Sequence, residues 1–99
     1  MLNILKTKED EKLSLALEGR LDTMTSPDLE NVLKEELTGV TALVMDFEKL
    51  EYISSAGLRV LLSAQKIMNR KGEMKIVHVN ELVQEVFDVT GFSDLLTIE

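Results

Sequence analysis

The sequence predicts one α/β domain, a mixed and mostly parallel sheet with packed helices, in the order β-β-α-β-α-β-α-β. Three observations carry this expectation. Apolar residues switch repeatedly along the chain between the two-residue period of strands and the 3.6-residue period of helices. Gly19, Gly39, Gly72, Asn80 and Gly91 fall at the ends of those periodic segments. Finally, 44% of the 99 residues are hydrophobic, enough to bury one core but too few residues for two, so residues 1–99 are expected to form a single domain.

Leu2 and Ile4 alternate as a first strand, and Leu13, Leu15 and Leu17 alternate as a second, with the charged stretch Lys8–Lys12 as the hairpin turn. Gly19 precedes Arg20-Leu21-Asp22, where the second strand should end. Ser26 then suits an N-cap and Pro27 a first helical position, with Asp28 and Glu30 placing negative charge on the first turn. Leu29, Val32, Leu33 and Leu37 form that helix's apolar stripe, and Gly39 stops it.

Thr41–Phe47 is a nearly unbroken apolar run reaching Asp46, the pattern of a central strand covered on both faces. Residues 56–70 return to helical period. Leu58, Leu61, Leu62 and Met68 fall on or near one side, and Arg59, Ser63, Lys66 and Arg70 on the other. Met74–Val79 is the next strand. Asn80 caps a third helix with Leu82, Val83, Val86 and Phe87 as its inner face, ending at Gly91, and Leu95–Ile98 is a closing edge strand.

Composition excludes several function classes. With no Cys there are no disulfides, thiolate metal sites or thiol catalysis, which fits a reducing compartment. No apolar run is long enough for a signal peptide or a membrane span, so the chain is expected to be soluble and cytoplasmic. Eleven basic against 18 acidic residues give a net charge of −7, which argues against nucleic acid and against direct binding to an anionic membrane. Nothing in the pattern calls for more than a monomer, for a cofactor or for a metal.

In open α/β sheets, function gathers where strands end and helices begin. Of the three such segments, Gly19–Ser26, Asp46–Gly57 and Val77–Glu81, the second is the richest. It holds Ser54-Ser55-Ala56-Gly57-Leu58, two hydroxyls at a helix N-terminus with its free N–H groups and partial positive charge. One serine alone would be explained as an N-cap worth about 1 kcal/mol. A cap needs only one hydroxyl, however, and Ala56 and Gly57 keep the loop low and accessible.

The string from Asp46 through Leu58 (DFEKLEYISSAGL) resembles the signature of STAS domains, in particular of stand-alone bacterial anti-sigma factor antagonists. Gly19-Arg20-Leu21-Asp22 with Thr25-Ser26-Pro27 resembles that family's Gly-x-Leu-Asp turn and first helix. Lys71–Met74, Val86-Phe87, Thr90-Gly91 and Leu95-Leu96 resemble its third-helix region, so the likeness runs end to end. The resemblance implies a STAS-like fold and a partner switch: the antagonist binds an anti-sigma factor with serine kinase activity and is released when a loop serine is phosphorylated. A phosphatase then resets the phosphoserine form.

Aligned on Gly57-Leu58, the resemblance puts Ser55 at the phosphoacceptor position, with Ser54 as the alternative, and Asp22, Asp46, Ala56 and Gly57 around it. It departs from the family in having Ser54 where Asp precedes the acceptor and Ala56 where a second hydroxyl follows. A final helix that many members have is not expected after Ile98. The expected partner surface comprises Thr25, Ser54, Ser55 and Leu58 with the outer side of the second helix, Arg59, Ser63 and Lys66. A phosphate adds roughly −1.5 to −2 charges at neutral pH, which an interface bearing Asp22 and Asp46 would repel.

Other chemistries find less support. Ser54 or Ser55 with His78 lacks the Gly-x-Ser-x-Gly elbow of a hydrolase. No Walker loop is present, and Asp22, Asp46 and Asp88 have no metal-ligand spacing. The expected protein is therefore not an enzyme. The alternative on the same fold is a STAS adaptor that is never phosphorylated, a subunit of a stress-sensing or lipid-transport complex.

Overall fold

The computed structural model describes residues 1–99. Strands β1 (Leu2–Glu9) and β2 (Lys12–Leu21) form an antiparallel hairpin that turns at Asp10 and Glu11. Asp10 takes the left-handed backbone there, at φ 53°, a conformation that Asp tolerates better than most side chains. Helix α1 (Ser26–Glu36), strand β3 (Ala42–Ile53), helix α2 (Ser55–Asn69), strand β4 (Glu73–Val77) and helix α3 (Glu81–Thr90) follow, then a 3-10 turn at Phe92–Asp94. The sheet order is β1-β2-β3-β4, with β2, β3 and β4 mutually parallel. The closing edge strand is reduced to one bridge, Ile98 beside Ile76.

Both crossovers, β2-α1-β3 and β3-α2-β4, step the same way across the sheet. Right-handed connections therefore place α1 and α2 on the same face. Phe87 of α3 joins them there, its ring 6.4 Å from that of Phe47. This face carries Leu13, Leu15, Leu17, Leu43, Met45, Phe47, Met74 and Ile76, all buried in one core. On the other face Ser14, Ala16, Val44, Lys75 and Val77 are only half-buried. The expectation that the central strand is covered on both faces is thus corrected: no helix crosses to the second side.

β3 is also longer than the apolar run suggested. It continues through Glu48-Lys49 to Ile53, with two register shifts against β2. Each shift inserts one extra residue into β3, so the inward positions become Phe47, Leu50 and Ile53, three apart rather than two. That spacing, among charged neighbours, hides the strand from a search for alternation.

The helix ends follow local chemistry in part. Asn80 caps α3, its Oδ1 accepting from the Val83 N–H at 2.9 Å, and Gly91 ends the helix at φ 81°. Within α3, Val83 and Phe87 face the core, whereas Leu82 is 55% exposed. Ser26 is not the N-cap of α1: it is the first helical residue, and its hydroxyl donates to the Asp22 carbonyl at 2.6 Å.

Candidate functional site

β2 and β3 end side by side, Leu21 opposite Ile53. The next residue, Ser54, donates its N–H to the Leu21 carbonyl at 2.9 Å, and its own carbonyl accepts from Leu58 at 3.0 Å to open α2. Ser54 stands in the cap position, yet its hydroxyl makes no cap bond; the oxygen is buried without a hydrogen-bond partner in the chain. The first-turn N–H groups of α2 are thus left without a side-chain acceptor, and their partial positive charge is unspent. Ser55 is exposed on that first turn. Gly57 lets the helix sit close to the strand ends: a Cβ there would lie 2.8 Å from Leu21 Cγ and 3.0 Å from Ile53 Cγ1.

Asp22, one residue beyond Leu21, organises the turn into α1 beside this loop. Its Oδ1 accepts from the N–H groups of Met24 at 3.0 Å and Thr25 at 3.1 Å. The Thr25 N–H is the main reason that the Asp22 carboxyl is held below the usual Asp range. Thr25 Oγ1 in turn accepts from the Asp22 N–H at 2.9 Å and donates to the Arg20 carbonyl at 2.8 Å. Arg20 lies over the Tyr52 ring, 4.4 Å from its centre, and 3.9 Å from Asp22 Oδ2.

Two expected site residues are buried and a third lies away from the loop. Thr25 is buried, with its hydroxyl committed to the turn. Leu58 is a core residue at 5% exposure, because it lies on the inner side of α2. Asp46 does not adjoin the serines. It lies mid-strand, eight residues before Ser54 and on the order of 20 Å away along extended chain. There it accepts from the Glu48 N–H at 2.9 Å and meets His78 Nδ1 at 3.0 Å. Burial pushes the Asp46 carboxyl up, but the Glu48 N–H and His78 outweigh it and leave it below the usual range. Asp46, Glu48 and His78 thus form a surface cluster of their own, their ligand-type atoms within 4.8 Å of one another.

Arg59, Ser63 and Lys66 are exposed along α2. Thr23, Pro27 and Glu30 of the α1 side join Ala56, Arg59 and Ser63 around an open cleft of ≈ 230 Å³ directly beside the loop. Glu30 and Thr23 escaped sequence reasoning because only the packing of α1 on α2 brings them there. The same holds for Lys71, whose Nζ donates to the Leu37 carbonyl at the end of α1.

Residues 4–97 match the family model described as Mlab, STAS domain. The chain is 30% identical to an anti-sigma-B factor antagonist of Staphylococcus aureus, over 98% of this chain and 92% of that one. Among solved structures, an anti-sigma factor antagonist from Mycobacterium paratuberculosis superposes with a TM-score of 0.89 at 20% identity, covering 99% of this chain and 85% of that one. The Bacillus cell fate determinant SpoIIAA in its phosphorylated form superposes with a TM-score of 0.77 at 17% identity, covering 98% and 91%. At such identities the structural likeness speaks for the fold.

Proposed function

This chain belongs to the STAS-domain family, and from that premise we propose that it is an anti-sigma factor antagonist controlled by phosphorylation of Ser55. It binds an anti-sigma factor with serine kinase activity, as a monomer in the cytoplasm, and a phosphatase restores the bound form. Its role is regulatory binding rather than catalysis, as in the anti-sigma factor antagonists it resembles.

The observation that carries the choice of serine is the contrast between neighbours: Ser55 is exposed on the first turn of α2, while the Ser54 hydroxyl oxygen is buried. A kinase must bring its γ-phosphate in line with an accessible hydroxyl, and only Ser55 offers one without opening the loop. The uncapped first turn then accommodates the phosphate in the free protein, while its charge opposes return to the partner interface.

Incubation with ATP and a co-encoded candidate kinase, followed by intact mass measurement and site mapping, tests the reading. One phosphate on Ser55, absent in Ser55→Ala, is expected. No phosphate with any such kinase overturns it in favour of the unphosphorylated adaptor.

A further inference from the structure

Charge is distributed unevenly in this acidic chain. Between Glu51 and Glu73 there is no Asp or Glu, although the protein has 18, while four of its 11 basic residues, Arg59, Lys66, Arg70 and Lys71, fall in that interval. Lys71 is committed to the Leu37 carbonyl. Arg59, Lys66 and Arg70 enter no ion pair, whereas Lys6, Arg20, Lys34, Lys49 and Lys75 each do. With Ser63 they recur at i, i+4, i+7 and i+11, which puts them in one exposed row along α2. Beside the row Ile67 is 46% exposed.

We propose that this row is a docking stripe for an acidic, amphipathic segment of a protein partner, and that phosphate on Ser55 releases the segment by taking Arg59 from it. The inference rests on the reading that the partner approaches the serine loop. Carboxylates spaced two turns and then one turn apart would meet Arg59, Lys66 and Arg70, and an apolar residue between them would cover Ile67. Such complementarity steers encounter and fixes register. A nucleic acid fits less well, since three free cations neutralise few phosphates and the remaining surface is acidic.

Ser55 precedes Arg59 by four residues, one helical turn. A phosphoserine at i and Arg at i+4 share a helix face, and guanidinium pairs with phosphate in a bidentate manner. The phosphate would neutralise the leading cation of the stripe and present its remaining charge to the incoming carboxylates.

The test uses the full isotope-labelled chain and a synthetic helical peptide with glutamate on its polar face and leucine on its apolar face, read by NMR titration. Amide shifts confined to residues 59–71 are expected, and the glutamine counterpart of the peptide should not bind. Lys66→Glu and Arg70→Glu, checked for folding by circular dichroism, should each weaken binding by about threefold or more. Phosphoserine installed at position 55 during synthesis should weaken it too, and much less so when Arg59→Gln is already present.

Absence of binding, shifts elsewhere, indifference to both charge reversals, or preference for an oligonucleotide overturns the stripe. Full additivity of phosphoserine and Arg59→Gln overturns the role of Arg59. No kinase is involved, so failure here leaves phosphorylation of Ser55 standing, and a failed kinase assay leaves this result standing.

Discussion

The Ser54 N–H donates to the carbonyl of Leu21 at 2.9 Å, tying the residue that opens α2 to the residue that precedes the Asp22 turn. The serine loop and the start of α1 therefore form one unit, and strain introduced at either is felt at both.

Gly57→Ala tests how tightly that unit is packed. Alanine favours a helix by up to about 1 kcal/mol, but its Cβ would press on Leu21 and Ile53, and overpacking costs about 1–3 kcal/mol. Net destabilisation of about 1 kcal/mol is expected, read as a lower urea midpoint with an unchanged m-value. A rise in the midpoint would show that the loop yields freely.

Ser54→Ala should behave in the opposite way. The hydroxyl oxygen is buried and unpartnered, so its removal forfeits no hydrogen bond. Urea denaturation should show unchanged stability or a gain of up to about 1 kcal/mol. A loss near the ordinary cap value would mean that Ser54 caps α2 in solution.

Asn80→Ala removes two interactions at once, the cap to Val83 and the Nδ2 donation to the Leu50 carbonyl at 2.7 Å. The second ties α3 to β3, so the cost should exceed that of a simple cap and reach about 2 kcal/mol. Asn80→Asp separates the two, since it keeps the cap acceptor and loses the donor. Because its second oxygen then faces the Leu50 carbonyl, its thermal midpoint should fall below that of wild type despite the retained cap.

Acid should destabilise the protein through Asp22 and Asp46. Both carboxyls are held below the usual Asp range in the folded chain, while the unfolded chain takes up protons near pH ~3.9. Their contribution is thus fully present above that value and is lost as pH falls through the lower folded values. Asp22→Ala should lower the urea midpoint at neutral pH and flatten its decline in acid. His78→Ala should raise the Asp46 pKa toward the ordinary value, measured by NMR titration of the carboxyl; an unmoved Asp46 would show that the contact at 3.0 Å does not persist in solution.

Local signals were readable wherever one residue type and its neighbours suffice. The α2 pattern of inner leucines and outer Arg59, Ser63, Lys66 and Arg70 needs only the helical period, and Asn80 and Gly91 mark α3 because capping is a matter of a few adjacent residues. The two serines ahead of Gly57 were likewise visible as a candidate site, since a strand end followed by a helix start is a local feature.

What only the tertiary structure decided depends on residues far apart in the chain. The handedness of two crossovers left one sheet face without helices, which no single strand's pattern reveals. Pairing with β2 carries β3 on to Ile53, and the register with β4 sets Asp46 opposite Val77, beside His78 and away from the serines. The common core buried Leu58, the Asp22 turn enclosed Thr25, and the packing of α1 beside α2 brought Glu30 to the cleft beside the serine loop. The sequence by itself determined the elements and the serine loop; the fold decided which serine is exposed and what surrounds it, because burial is set by partners that sequence spacing does not name.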